Sequence, residues 1–307
     1  MPNHLNHPCD SILTGDLSVL DWFVTPGHLS VKFDGSPSLG FGINPATGKF
    51  AVATKSFLNK KKIKIAHSHE EIDSFYTGEV ATILHNLFDY APREYDTWIQ
   101  ADWIGLGGND EYTPNTITYK FPETVEEKII LAPHTEYWGT DNLSTCQSSP
   151  LNFNLKDTES VKFVQPKAYI QSDAWTRWDG TVAFDDVEEV CNFARQMATT
   201  VTFVSDKEAA RITKELNACI RSGDAIIAQE FDDFGCDPNL IGLWALVRSV
   251  TEDCLFVCRC DGPNAYLNGD RIVGEGFVMS NEFGTYKLIS RSVFSHANFN
   301  SGRFQVA

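Results

Sequence analysis

The stretch Val31-Lys32-Phe33-Asp34-Gly35-Ser36-Pro37 constrains this chain more than any other. Leu29, Val31 and Phe33 alternate as in a half-buried strand, so Lys32 points to the face opposite them. Gly35 permits a sharp turn directly afterwards, and Pro37 limits the path beyond it. A lysine is therefore held on a rigid element just before a corner. It is either a reactive amine or the solvated lysine of an ordinary hairpin.

Composition narrows the choice. The 307 residues carry a formal net charge of −16, with a pI of about 4.8. A chain that wraps nucleic acid broadly is usually basic, so any contact with an RNA or DNA end must be local. Lys55, Lys60, Lys61, Lys62 and Lys64 are the candidate patch, or equally a solvated edge that discourages aggregation. No apolar run is long enough to cross a membrane, and Met1–Pro8 has neither the basic start nor the apolar core of a signal peptide. The cytoplasm is the expected location. The cysteines at 9, 146, 191, 219, 236, 254, 258 and 260 include no Cys-x-x-Cys spacing. They read as reduced, mostly buried thiols, with a metal site as the weaker reading. His67-Ser68-His69-Glu70 looks like a ligand cluster, but its polar surroundings favour a solvated loop.

Along the chain, Asp16 is placed to cap a short helix through Trp22. Strands are expected at 29–33, 38–43 and 49–55, the last two joined by the Asn44–Gly48 turn. Val80, Ile83, Leu84, Leu87 and Phe88 recur at helical spacing and stop before Pro92. A strand from Thr97 to Ile104 carries Asp102 between apolar neighbours, where a charge needs a partner, a task or a route to solvent. Strands are expected again at 116–121 and 128–131. Residues 133–182 are polar and broken by prolines, with short strands near 161–164 and 168–170. Helices follow around Val187–Met197, after the Ser205–Glu208 capping box, and from Leu240 to Val247. The last strands are 255–260, 271–279 and 285–290. Glu275 lies between two glycines that would let a ligand or metal approach the backbone. A hairpin across Asn281–Gly284 would bring Glu275 near Lys287.

In this order, Lys-x-Asp-Gly, a strand-borne acid, Glu-Gly-Phe-Val and a lysine on an apolar strand, the chain resembles the covalent nucleotidyltransferases. These are the ATP-dependent DNA and RNA ligases and the mRNA capping enzymes. It looks closest to small ligase-like proteins of tailed phages, through Asn44-Pro45, Thr54-Lys55-Ser56 and Tyr112–Thr116. The location would then be the host cytoplasm. The resemblance implies an α+β fold: a ligase-type nucleotidyltransferase domain with two mainly antiparallel sheets flanked by helices and no C-terminal OB-fold. It would be a single domain over residues 1–307, with a lid or insertion at about 133–260, and a separate partner protein could supply the closing domain.

The resemblance also implies the roles. Lys32 would attack the α-phosphorus of ATP to give a lysyl-AMP adduct and pyrophosphate. Lys287 would neutralise the α-phosphate and, like a divalent metal, lower the pKa of Lys32. Glu275 would bind Mg²⁺, while Asp34, Gly35, Lys55, Asp102 and Arg291 would contact the nucleotide, with Asp102 at the ribose. Tyr119 or Phe121 would stack on the base. The chain departs from the family in carrying Asp102 where Glu is usual. It also has a single lysine, Lys287, in the last motif, with Arg291 as the residue that could compensate. The implied activity is RNA-ligase-like end joining. The alternatives are a non-catalytic nucleotide or nucleic-acid-end binding protein of the same fold, and AMP transfer to a non-nucleic-acid acceptor.

Overall fold

The computed structural model describes residues 5–59, 61–139, 143, 145–171, 180–184 and 187–294. Lys60 of the lysine-rich patch lies outside the described residues. In chain order the first elements are α1 (Pro8–Ser11), α2 (Ser18–Val24), β1 (His28–Lys32), β2 (Ser38–Asn44) and β3 (Lys49–Thr54). Then come α3 (His69–Phe75), α4 (Gly78–Tyr90), β4 (Trp98–Leu106), β5 (Glu111–Tyr112), β6 (Thr118–Lys120) and β7 (Ile129–Trp138). These are followed by β8 (Gln147–Pro150), β9 (Val161–Phe163), β10 (Ala168–Ile170), α5 (Val187–Ala198), α6 (Asp206–Ser222) and α7 (Pro238–Val257). The last strands are β11 (Cys258–Cys260), β12 (Asn264–Leu267), β13 (Asp270–Ile272), β14 (Gly276–Asn281) and β15 (Gly284–Leu288).

Many of these follow local chemistry. Asp16 accepts from the Ser18 backbone and opens α2. The Ser205–Glu208 capping box starts α6, and left-handed Gly223 ends it. Four differences stand out. His69 begins a helix rather than lying in a loop, because the Ser68 hydroxyl caps the Glu71 N–H. Helix α7 runs on to Val257, shortening the strand expected at 255–260, because its residues are buried around much of its circumference. Strand β7 continues through Pro133, which lies at a register shift against β4 where an unbonded nitrogen is tolerated. The segment expected as one strand at 271–279 is two, β13 and β14, in different sheets.

The fold is α+β, and among the described residues its strands pair antiparallel except for β7 with β9. Four sheets form among the described residues where two were expected. The chain divides into two compact units. The first is built from Phe33–Pro166 and Gly262–Gly274. Its main sheet has the order β3-β2-β4-β7-β8, and a second sheet has the order β13-β12-β6-β5. One face of the main sheet packs Leu39, Phe41, Val52, Ile99, Ala101 and Leu131 with the apolar sides of α3 and α4. The second unit is built from Leu5–Lys32, Lys167–Asp261 and the chain from Glu275 onward. It contains the sheet β1-β14-β15 and the pair β10-β11, over a core with α2, α5, α6 and α7. Residues 133–260 are thus shared between the units, with the division at Pro166–Lys167. No disulfide joins the cysteines, six of which are buried.

Candidate active site

Strand β1 alternates as its sequence demands. Leu29 and Val31 pack on the core beside Phe277, Met279 and Leu288, which leaves Ser30 and Lys32 on the opposite face. Lys32 pairs in register with Gly276, and Ser30 with Val278. Val278 in turn pairs with Lys287. Directly opposed residues share a sheet face, so Lys32 and Lys287 lie on the same side. Lys167, bridged to Ser30, joins them there. The Lys32 Nζ meets the Glu275 Oε2 at 2.5 Å, with side chains 27% and 16% exposed. Lysine and glutamate are separated by 243 positions, and β14 closes that distance.

Gly276 is required for a reason other than ligand approach. Its φ is +149°, and a Cβ there would lie 2.3 Å from the Leu288 carbonyl oxygen. The backbone of β15 occupies the space.

His7 was not apparent as a site residue from sequence. Asn6 bridges Tyr286, and the Lys287 N–H donates to the Asn6 carbonyl at 3.2 Å, which draws the N-terminal segment alongside β15. Burial, then the positive charges of Arg291, Lys287 and Lys32, hold the His7 imidazole down to about 2. It is neutral at any working pH.

Arg291 does not extend this cationic face. It is 6% exposed and forms a bidentate pair with Asp10, its Nη1 2.9 Å from Oδ1. Trp244 Nε1 donates to the same carboxylate at 3.1 Å. The guanidinium is committed to the core, because strand β15 has ended at Leu288 and the chain has turned inward.

The remaining residues belong to the first unit. Asp34 is buried, and its carboxylate accepts from Asn115 Nδ2 at 2.7 Å, Thr116 N at 2.9 Å and Ile117 N at 3.3 Å. Its own N–H donates to the Tyr119 hydroxyl at 2.7 Å. A Cβ on Gly35 would fall 2.7 Å from both Asp102 Cβ and the Trp103 carbonyl, so only glycine lets this turn lie against β4. Asp102 pairs in register with Ser38 and Ala132 and has His134 Nε2 at 3.7 Å from Oδ1. His134 is the extra residue of the β4–β7 register shift, which re-aims it. Lys55 is exposed in a 3-10 turn just after β3, between Thr54 and Ser56, whose hydroxyls meet Tyr76. Tyr119 and Phe121 are 2% and 8% exposed and belong to the core, so neither offers an open face to a base.

The family model of DUF6267, a family of unknown function, matches residues 2–233. The chain belongs to the DUF6267 family. No curated protein and no solved structure matches it. The match to DUF6267 covers Lys32, Asp34, Gly35, Lys55 and Asp102, and ends before Glu275, Lys287 and Arg291.

Glu275 offers one carboxylate beside the lysines. Among the described residues no group of three or more His, Cys, Asp or Glu side chains forms a metal cage. One carboxylate, completed by substrate phosphates and water, is the donor set Mg²⁺ commonly takes. The sheet face as a whole can bind an anion and present an amine.

Proposed function

We propose that this chain is a nucleotidyltransferase of the ligase type, forming a covalent lysyl-AMP at Lys32 from ATP and passing AMP to an RNA end. The single observation that carries the reading is the Lys32–Glu275 ion pair on the face shared with Lys287. As an ammonium held by Glu275, Lys32 is inert. Once the ammonium proton has passed to water, the Nζ lone pair attacks the α-phosphorus, a P–N bond forms, and the bond to the bridging oxygen breaks, releasing pyrophosphate. Lys287 offsets negative charge on the phosphate as it develops. Glu275 would hold Mg²⁺, which would supply further charge neutralisation. Asp102, Lys55, Asp34 and Gly35 keep the nucleotide-contacting roles that the resemblance implies, and Asp34 also braces the Asn115–Ile117 loop. The withdrawal of Arg291 into the core favours one second reading, a non-catalytic nucleotide-binding protein.

The test is incubation of purified protein with α-labelled ATP or GTP and Mg²⁺, followed by denaturation. Acid-labile label on the chain, absent in Lys32→Ala, is expected. No label under any condition, with nucleotide still bound in an equilibrium assay, selects the second reading. Label that persists in Lys32→Ala sinks the nucleophile assignment.

A further inference from the structure

Helices α3 and α4 of the first unit carry the same short pattern, His-x-x-x-Asp, as His69–Asp73 and His85–Asp89. The two patterns cross. His69 Nε2 lies 2.9 Å from Asp89 Oδ1, and His85 Nε2 lies 2.9 Å from Asp73 Oδ1. The two ring planes lie within 22° of parallel, with their centroids 4.9 Å apart. Their Nδ1 atoms face each other at 2.6 Å. His69 is further held edge-on by Phe88.

This geometry dictates the tautomers. An ionised carboxylate only accepts, so each Nε2 carries the hydrogen and each neutral ring presents a lone pair at Nδ1. Two lone pairs 2.6 Å apart repel unless a cation lies between them. A shared proton or a metal ion can supply that cation, and Zn²⁺ titration separates them; the aspartates, each more than half exposed, hold the rings by their far nitrogens. Imidazole nitrogen suits Zn²⁺, Ni²⁺ and Cu²⁺. A carboxylate on the far nitrogen is the usual second partner of a metal-bound histidine. His67 stands apart from the pair, since its Nδ1 is at 3.0 Å from Glu71 and its Nε2 is near Asn44 and Thr47.

We infer that His69 and His85 form a two-imidazole site for a divalent transition-metal ion, clipping α3 to α4, with Asp89 and Asp73 orienting the ligands. Metal–nitrogen bonds of about 2.0–2.1 Å need the nitrogens to separate to about 3.3 Å for tetrahedral binding. Both side chains are partly exposed, at 44% and 28%, which leaves room for that movement and for water in the remaining positions. The inference is independent of the chemistry proposed for Lys32.

Zn²⁺ titration of the full chain tests it, by calorimetry, by thermal melting and by the ¹⁵N spectrum of labelled histidines. One equivalent should bind, raise the melting temperature and shift the Nδ1 signals of two histidines. His69→Gln and His85→Gln should each weaken binding by at least about 10-fold, and Asp73→Asn with Asp89→Asn by about 10–100-fold. If a histidine variant loses its far-UV circular dichroism, the aspartate variants, altered at exposed side chains, carry the comparison. Equal Zn²⁺ binding by wild type and the variants overturns the site. So does a wild-type spectrum in which Zn²⁺ moves no Nδ1 signal, which would leave a shared proton as the cation.

Discussion

The two halves of the Lys-x-Asp-Gly motif handle charge in opposite ways. In the second unit, the polar face of β1-β14-β15 gathers cations. Lys32, Lys287 and Lys167 share it, His7 beside it stays neutral, and Glu275 is the carboxylate that meets Lys32. In the first unit, the Asp34 carboxylate is buried and holds three donors of the 115–117 segment. Two positions apart in sequence, Lys32 is partly exposed beside Glu275, while Asp34 is buried and braces the 115–117 segment. A motif that reads as one chemical unit sets one charge on a partly exposed sheet face and buries the other among hydrogen-bond donors.

Four perturbations would break or sharpen that contrast. The largest effect is expected for Arg291→Ala, which removes a buried guanidinium, leaves the partly buried Asp10 without its cation and should cost about 3 kcal/mol in urea unfolding. A loss under 1 kcal/mol would return Arg291 to the candidate ligand contacts. Asp34→Ala orphans three donors and should cost about 3 kcal/mol, whereas Lys32→Ala, which leaves the partly buried Glu275 without its cation but removes a more exposed side chain, should cost about 1 kcal/mol. Equal costs for the two would erase the division of labour. Gly35→Ala forces a Cβ into Asp102 and the Trp103 carbonyl and should cost about 1–3 kcal/mol, with an undisturbed melting curve as the contrary result.

The smallest effect is a pH dependence. The folded-state pKa of His7 is depressed, so the unfolded chain binds the extra proton between about pH 6.5 and 2. Stability should therefore fall as pH drops below about 6.5, by about 1 kcal/mol at pH 5.5. His7→Gln should flatten that slope. An unchanged acid profile would mean that the cationic face does not disfavour protonation there.

Much of the fold was legible locally. Alternation in Leu29–Phe33, the Asn44–Gly48 turn, the 3.6-residue period of Val80–Phe88 and the capping box at Ser205 each act over a few residues, where propensity and hydrogen bonding decide. Gly35 announced a special backbone, and the apolar neighbours of Asp102 announced a charge in need of a partner. The polar segment after Leu131 hid a strand because its pairing depends on β4 and a register shift, not on its own composition. Tyr119 and Phe121 were read as base-stacking candidates because sequence alone does not tell a core aromatic from an exposed one.

By itself, then, the sequence determined many of the strands and helices and the face on which Lys32 stands, since these follow from periods of two and 3.6 residues. Only the tertiary structure decided that Glu275 reaches Lys32 and that Arg291 turns inward to Asp10. It also drew His7 alongside β15 and crossed the two His-x-x-x-Asp patterns. Such pairings join residues up to hundreds of positions apart, and no local preference specifies them. They are selected when whole sheets and helices bury their apolar faces and each enclosed charge must find a partner.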